Sequence, residues 1–431
     1  MAFTSLVFYL FAVLVRPHEW GIIANEDSSI IRNSLVLCLL AFIFQKNKNL
    51  TAPQLPLMLA LVLLIFISVA TSGWVGGGII QAEKFLRTAF IPFLMISSIV
   101  DSLKKQYIFF ALIIFAAMLM VVNGIVQINN DLGIGLMGNR IYTNGSELRI
   151  TYLGFLSDPN DLGMFLVMSL PLFFFFNEKI PAVLSPITWL SVPLLLYGMY
   201  LTNSRGTLLA GLSLLFFWFW RKYGTVKSIY ASLPISPAIL YIMSSFREID
   251  VTEENAQGRL EAWYEGFQMF RESPIFGIGH EGFTDYYRLT AHNSFVLAFA
   301  ELGIVGCLTW VGLLVVSIMI LHAIAKQQYL PDQFSMNDRR CTLARDESRV
   351  ANAMLYSFAA YMVSGFFLSR TYVPILYLFL GMCAATYGRV RKAFPEIEAN
   401  HFFDIKRAIK YTFVITFSGI IGVNLLLKLF L

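Results

Sequence analysis

The sequence predicts an all-α polytopic membrane protein of about twelve or thirteen transmembrane helices, with one larger loop on the outer side. Three observations predict it. Of 431 residues, 57% are hydrophobic and only 14% are charged, too polar-poor to coat a soluble chain of this length. Many windows of about 18 residues or more carry almost no charge, and about 20 apolar residues cross a bilayer core as a helix. Basic residues also gather in alternate loops, as orientation in a membrane requires. Helices are the expected spanning element because each satisfies its own peptide groups in lipid.

The apolar runs lie at about 3–15, 30–44, 56–72, 85–100, 107–127, 159–176, 184–202, 206–220, 228–245, 293–322, 350–368, 374–388 and 411–430. The first two are short, which leaves the count at twelve or thirteen. No Lys or Arg precedes the first run and no small-residue cleavage site follows it, so it reads as a retained helix rather than a signal peptide. The whole chain, 1–431, is expected to form a single integral membrane domain. Residues 246–292 read as a periplasmic loop with an amphipathic helix, and 323–349 as a cytoplasmic loop. Cys38, Cys307, Cys341 and Cys383 have neither metal nor redox spacing.

With the N-terminus inside, every inner loop carries positive charge, and nineteen of the 32 basic residues fall on the cytoplasmic side. Eleven of those nineteen are Lys. The outer set is Arg16, Arg32, Lys84, Arg87, Arg140, Arg149, Arg205, Arg247, Arg259, Arg271, Arg288, Arg370 and Lys428, nearly all Arg. A guanidinium offers a planar fork of donors matched to phosphate oxygens and tolerates partial burial. An Arg-rich outer face therefore points to an anionic ligand there. The plainer alternative is pairing with Glu19, Glu83, Asp158 or Asp161. The stretch from Arg389 to Lys410 reads as a basic amphipathic segment on the anionic inner leaflet.

The motifs follow in chain order. Arg16-Pro-His-Glu-Trp20 is a compact polar and aromatic group at the first outer boundary, and Asp158-Pro-Asn-Asp161 opens an apolar run. The latter is either a helix cap or a pair of carboxylates, Asp161 among them, that shapes a site. Leu201-Thr-Asn-Ser-Arg-Gly-Thr207 allows only a tight turn, which pins Arg205 at the outer boundary among hydroxyls and glycine suited to an anion nest. Snorkelling alone is the competing explanation. In Gly258 to Phe270, Leu260, Trp263, Phe267 and Phe270 recur at helical spacing, with Arg259 in the first turn and Trp263 and Tyr264 expected at headgroup depth.

Pro274-Ile-Phe-Gly-Ile-Gly279 reads as a structural bend, and His280 after it as a solvated loop histidine. Ala291-His-Asn-Ser-Phe295 puts His292 just before a long apolar helix. An imidazole with an ordinary pKa of about 6.5 accepts a proton at neutral pH. Asn293 is either its orienting partner or simply the helix cap. Glu301, followed by Gly303 and Gly306, needs a partner within the apolar run, expected to be an arginine. Ser369 and Arg370 occupy another very short outer turn.

In this order the motifs Asp158-Pro-Asn-Asp161, Ser204-Arg-Gly206, Gly258-Arg with Trp263, Pro274 to Gly279 and His292-Asn-Ser resemble the O-antigen ligase and polymerase superfamily, over roughly residues 150–320. Arg16 to Trp20 is similar to the start of an exosortase-associated subgroup of O-glycosylation ligases. The resemblance implies a helical bundle akin to the lipid-dependent (GT-C-like) glycosyltransferases in a bacterial inner membrane. It implies a glycan donor on undecaprenyl pyrophosphate and an active site facing the periplasm. The family's essential histidine falls on His292 and its two essential arginines on Arg205 and Arg259. Asn293, Glu301, Asp161 and Arg370 are candidate supporting residues. The acceptor is a growing glycan, lipid A core or a protein. The loop from Phe246 to Ala291 is shorter than ligation to bulky lipid A core suggests.

A pyrophosphate leaves without protonation, so the expected machinery is two arginines on the phosphates, one histidine as base and inversion at the anomeric carbon. No Asp-x-Asp signature marks a metal site, and neither a metal, another cofactor nor a nucleic-acid partner is expected. The rival class is a lipid-linked glycan transporter or flippase, which would place polar groups in broken helices near the midplane. The third is a non-catalytic assembly subunit.

Overall fold

The structure, a computed structural model, describes residues 1–21, 29–46, 48–144, 147–177, 185–232, 256–327 and 339–430. In chain order the helices are α1 (Ala2–Leu14), α2 (Ile30–Ile43), α3 (Gln54–Thr71), α4 (Val75–Phe85), α5 (Ile91–Ile99), α6 (Leu103–Asn129), α7 (Pro159–Asn177), α8 (Ser185–Leu201), α9 (Arg205–Tyr223) and α10 (Thr225–Ser232). There follow α11 (Ala256–Glu272), α12 (Phe283–Tyr286), α13 (Ser294–Ala325), α14 (Arg339–Phe367), α15 (Pro374–Ala393) and α16 (Ile405–Phe430). A hairpin of β1 (Tyr142–Asn144) and β2 (Glu147–Arg149) pairs Tyr142 with Arg149. Among the described residues, α3, α6, α13, α14 and α16 are each long and apolar enough to cross a membrane, and the apolar α2, α7 and α8 are shorter. The chain is an all-α polytopic membrane protein. The expected run at about 228–245 lies largely outside the described residues.

The chain forms two compact units. The first comprises Met1–Lys46, Ser102–Ile249 and Ala353–Ser364. The loop after α6 is tied down by two amides buried on the last turns of that helix. Asn123 donates to Asn139 Oδ1 (3.0 Å) and accepts from the Met137 N–H (3.0 Å). Gln127 donates to the Asn139 carbonyl (3.2 Å) and accepts from the Thr151 N–H (3.1 Å). Near the end of α1, the Val15 carbonyl accepts from the Tyr152 hydroxyl (2.6 Å) and the Trp20 indole (3.2 Å), while Arg16 pairs with Glu19. The plainer alternative holds for this arginine, and also for Arg87, which pairs with Glu83 at 3.3 Å.

The second unit comprises Asn47–Asp101, Asp250–Asn352 and Gly365–Leu431. Here α4 runs through a π turn at Leu86–Phe90 into α5, so this helix starts ten residues before the expected run. Gly381 lets α15 lie close against Phe93 and Ile96 of α5. Arg389 and Glu347 form a buried ion pair (2.6 and 2.9 Å), and Arg389 also donates to the Val100 carbonyl (2.8 Å) and Thr386 (3.0 Å). The basic stretch at Arg389–Lys410 is therefore not uniformly solvated. Its first member ties α15 to α14, because a buried guanidinium needs its donors filled. The expected loop at 323–349 is also shorter at both ends, since α13 runs to Ala325 and α14 begins at Arg339.

The feature with most consequence is in α13. Gly303 takes φ 63 and ψ −167, which breaks the helix in two. The Ala300 and Glu301 carbonyls accept from the Ile278 (3.0 Å) and Gly279 (3.1 Å) N–H groups. On the far side of the break, the Ile304 and Val305 N–H groups donate to the Pro274 (2.8 Å) and Ile275 (3.3 Å) carbonyls. The Pro274–Gly279 bend is thus a plug that pairs the peptide groups the break sets free. Both sides need glycine. A Cβ on Gly303 would stand 2.3 Å from the Ile275 carbonyl oxygen, and one on Gly277 (φ 74) 2.3 Å from the Glu301 carbonyl oxygen. Gly303→Ala is expected to cost about 3 kcal/mol or more through strain and overlap. Gly419→Ala, on a face of α16 with nothing within 4 Å, should leave stability at or above the original. Thermal unfolding in detergent distinguishes them, and equal melting temperatures would remove the interlock from this account.

Candidate functional site

In the second unit the site is built on the start of α13. Asn293 is the N-cap, buried, with Oδ1 accepting from the Phe295 (2.8 Å) and Val296 (3.2 Å) N–H groups. Its preceding residue, His292, is half-buried and held at φ 47, a left-handed conformation few non-glycine residues adopt. The turn after α14 clamps this corner. Ser294 donates to the Leu368 carbonyl (2.6 Å) and accepts from the Arg370 N–H (2.9 Å), and the Thr371 hydroxyl donates to the Ser294 carbonyl (2.7 Å). Ser369 donates to Thr290 (3.1 Å). His292, Asn293 and Arg370 therefore belong to one braced corner.

Arg259 reaches the same end on α11. Gly266 packs on Val296 and Phe270 on Phe299, so α11 and α13 run parallel, with Arg259 toward the end where α13 begins. Of the expected row Leu260, Trp263, Phe267 and Phe270, only Trp263 is buried, and the buried face of α11 is completed by Ala262, Gly266 and Met269. Small Ala262 and Gly266 let the helix backbone approach α13, and packing of that kind outweighs hydrophobic spacing. Trp263 is buried against Phe366 (5.4 Å between rings) while Tyr264 is exposed. Two buried donors at this end, Trp263 Nε1 and Asn293 Nδ2, meet no acceptor among the described residues.

In the first unit, Asn203 at φ 46 and the N-cap Ser204, which accepts from the Thr207 N–H (3.3 Å), make the turn from α8 into α9. Arg205 is the first residue of α9 and is exposed. Asp158 accepts from the Asn160 N–H (2.7 Å) at the start of α7, the capping alternative. Asp161 is buried in the first turn. Arg205 and Asp161 thus belong to the first unit, and Arg259, His292, Asn293, Glu301 and Arg370 to the second.

Residues 190–311 match the family described as O-antigen ligase. Over that stretch the chain is similar to O-antigen ligases. Arg205, Arg259, His292, Asn293 and Glu301 fall within the matched ligase stretch, whereas Asp161, Arg370 and the Arg16–Trp20 motif lie outside it. The match supports glycosyl transfer of the O-antigen ligase and polymerase type in general. No curated protein matches the ligase-like chain.

Two expectations about the ligase-like domain are corrected. Glu301 is buried and makes no ion pair with an arginine among the described residues. It accepts from the Phe283 N–H (3.3 Å), and the Tyr372 hydroxyl lies beside it. His280 is not a solvated loop histidine: the plug carries it inward, its N–H donates to Ser68 (3.2 Å), and its ring packs on Tyr372 (4.2 Å). No spacing signalled this, because the partners come from α3 and the turn before α15. Neither ring nitrogen of His280 has a partner among the described residues.

Burial pushes the His280 imidazole down to about 4, opposed by Glu281 and assisted by Lys84. Glu281 is itself held below the usual carboxylate range: burial raises it, but the Lys84 hydrogen bond (2.6 Å) and charge outweigh that. Between pH 6.5 and 4 the unfolded chain binds a proton that folded His280 refuses, so stability is full above 6.5 and is lost as pH falls toward 4. The Glu281 contribution disappears only below 4.5. His280→Phe should flatten the acid side of a melting-temperature profile between pH 6.5 and 4.5, and an unchanged slope would contradict the burial argument.

Proposed function

We propose that the protein transfers a glycan from undecaprenyl pyrophosphate to an acceptor hydroxyl on the periplasmic face of a bacterial inner membrane, without a metal. The acceptor is a growing glycan, lipid A core or a protein hydroxyl. His292 is the general base, Arg205 and Arg259 bind the pyrophosphate, and Arg370 supports the His292 corner. The acceptor oxygen bonds to the anomeric carbon as the bond from that carbon to the pyrophosphate oxygen breaks. The hydroxyl proton passes to His292, the lipid pyrophosphate leaves with the electron pair, and the configuration inverts.

The observation that carries this reading is the corner at His292. An imidazole is fixed in a costly backbone conformation at the mouth of a capped helix and clamped by a second turn. The buried donors Trp263 Nε1 and Asn293 Nδ2 lie at the same end. The ligase match, whose stretch contains all three principal residues, supports glycosyl transfer in general. Against the transporter reading, the groups freed by the break in α13 are consumed by the chain's own plug rather than left for a passing substrate.

The test is transfer by purified protein from a lipid-linked donor. His292→Ala is expected to lower kcat about 100-fold or more. Arg205→Ala and Arg259→Ala should each lower kcat/KM about 100-fold, with Lys only partly restoring either. EDTA should leave the rate unchanged. Normal transfer by folded His292→Ala protein would refute the assignment of the base.

A further inference from the structure

The last outer arginine of the hairpin, Arg149, sits where no ligand reaches it, being 2% exposed. Its Nε donates to the Thr202 carbonyl (2.9 Å) and its Nη2 to Asn160 Oδ1 (2.8 Å), with the Tyr142 ring 5.7 Å from the guanidinium carbon. Thr202 follows the last residue of α8, and Asn160 is in the first turn of α7. One planar side chain therefore joins the end of α8 to the start of α7. The next residue on, Ile150, adds its N–H to the Leu201 carbonyl (3.2 Å), so the end of β2 and the end of α8 are laced together.

We infer that Arg149 is a positioning residue for Arg205, an inference that rests on the pyrophosphate-binding role proposed above. Only Asn203 and Ser204 separate the carbonyl that Arg149 holds from Arg205. Asn203 is in the left-handed region and Ser204 is fixed as a cap, so little backbone freedom remains between them. On the other flank, Gly163 of α7 touches Thr207 one turn into α9 closely enough that a Cβ there would meet the Thr207 hydroxyl at 1.9 Å. Arg149 sets the entry of α9 from one side and the α7–α9 contact from the other.

The choice of residue argues against a merely structural tie. Neutral amides already fasten this outer loop at Asn123 and Gln127 without burying a charge. At the Thr202 carbonyl a cation also meets the negative end of α8, which offsets part of its desolvation. The geometry needs two donors at a fixed angle reaching two elements, which guanidinium provides and ammonium does not. Lysine at this place would keep the charge and lose the bridge.

The experiment is a kinetic cycle on purified full-length protein with varied lipid-linked donor: Arg149→Lys, Arg205→Lys and both together, with melting temperature recorded for each. Arg149→Lys is expected to lower kcat/KM tenfold or more, mainly through a raised KM for the donor. In the Arg205→Lys background the same change should cost less than twofold, because the guanidinium fork it positions has already been replaced. Equal losses in both backgrounds, or unaltered kinetics in Arg149→Lys, would overturn the inference. Should Arg149→Lys not fold, Asn160→Ala removes one anchor alone and should show the same non-additivity with a loss of about threefold; additivity there overturns it equally. Normal kinetics in Arg205→Lys and Arg205→Ala would instead sink the proposed role of Arg205, whatever Arg149 does.

Discussion

Peptide groups freed inside an apolar helix have to be paired by protein, since lipid offers them nothing. In α13 the break at Gly303 frees carbonyls on one side and N–H groups on the other, and Pro274–Gly279 fills both. The residues beyond the break, 304–325, number 22 and rise about 33 Å, enough to cross a hydrocarbon core alone. The nine residues before it are surplus to a span and form a rigid arm of about 13 Å. The plug also reaches α3, where the His280 N–H meets Ser68 and Gly279 packs near Val69 and Ser72. The arm that carries Asn293 and His292 is therefore held at its base as well as clamped at its tip.

Arg205 and His292 occupy equivalent local settings. Each adjoins the N-terminus of a helix that opens with a capping side chain, Ser204 or Asn293, and each turn contains a left-handed residue, Asn203 or His292 itself. Helix N-termini carry partial positive charge and favour anions. Arg205 as the first residue of α9 adds a cation to that positive end, an arrangement that costs the isolated helix stability. Arg389 shows the opposite: it lies in the last turns of α15, pairs with Glu347 and serves packing. Position on the helix, rather than charge, separates the arginine suited to an anionic ligand from the one that builds the fold.

Much of this was legible in the sequence, and what was not has a common cause. Apolar length gives the helices, basic loops give the expected orientation, and the polar turns at Thr202–Ser204 and His292–Asn293 mark where helices begin. The break at Gly303 was hidden because a glycine within an apolar run is compatible with an unbroken helix, and its partners at Pro274–Gly279 lie more than twenty residues away. The burial of His280, the Glu347 partner of Arg389 and the rotated face of α11 escaped for the same reason. Each depends on which distant segment packs alongside, and local periodicity carries no record of that.

The arginines expected on the outer side can now be divided. Arg16 is spent on Glu19 and Arg87 on Glu83, so the count alone overstated the positive charge open to a ligand. Arg149 is buried in a backbone tie. Arg205 is exposed at a helix mouth, while Arg259 and Arg370 are half-buried at the end of the second unit that holds His292. An exposed guanidinium at a helix mouth pays little desolvation to meet an anion, whereas a fully buried one is committed to the fold by the partners that its burial requires.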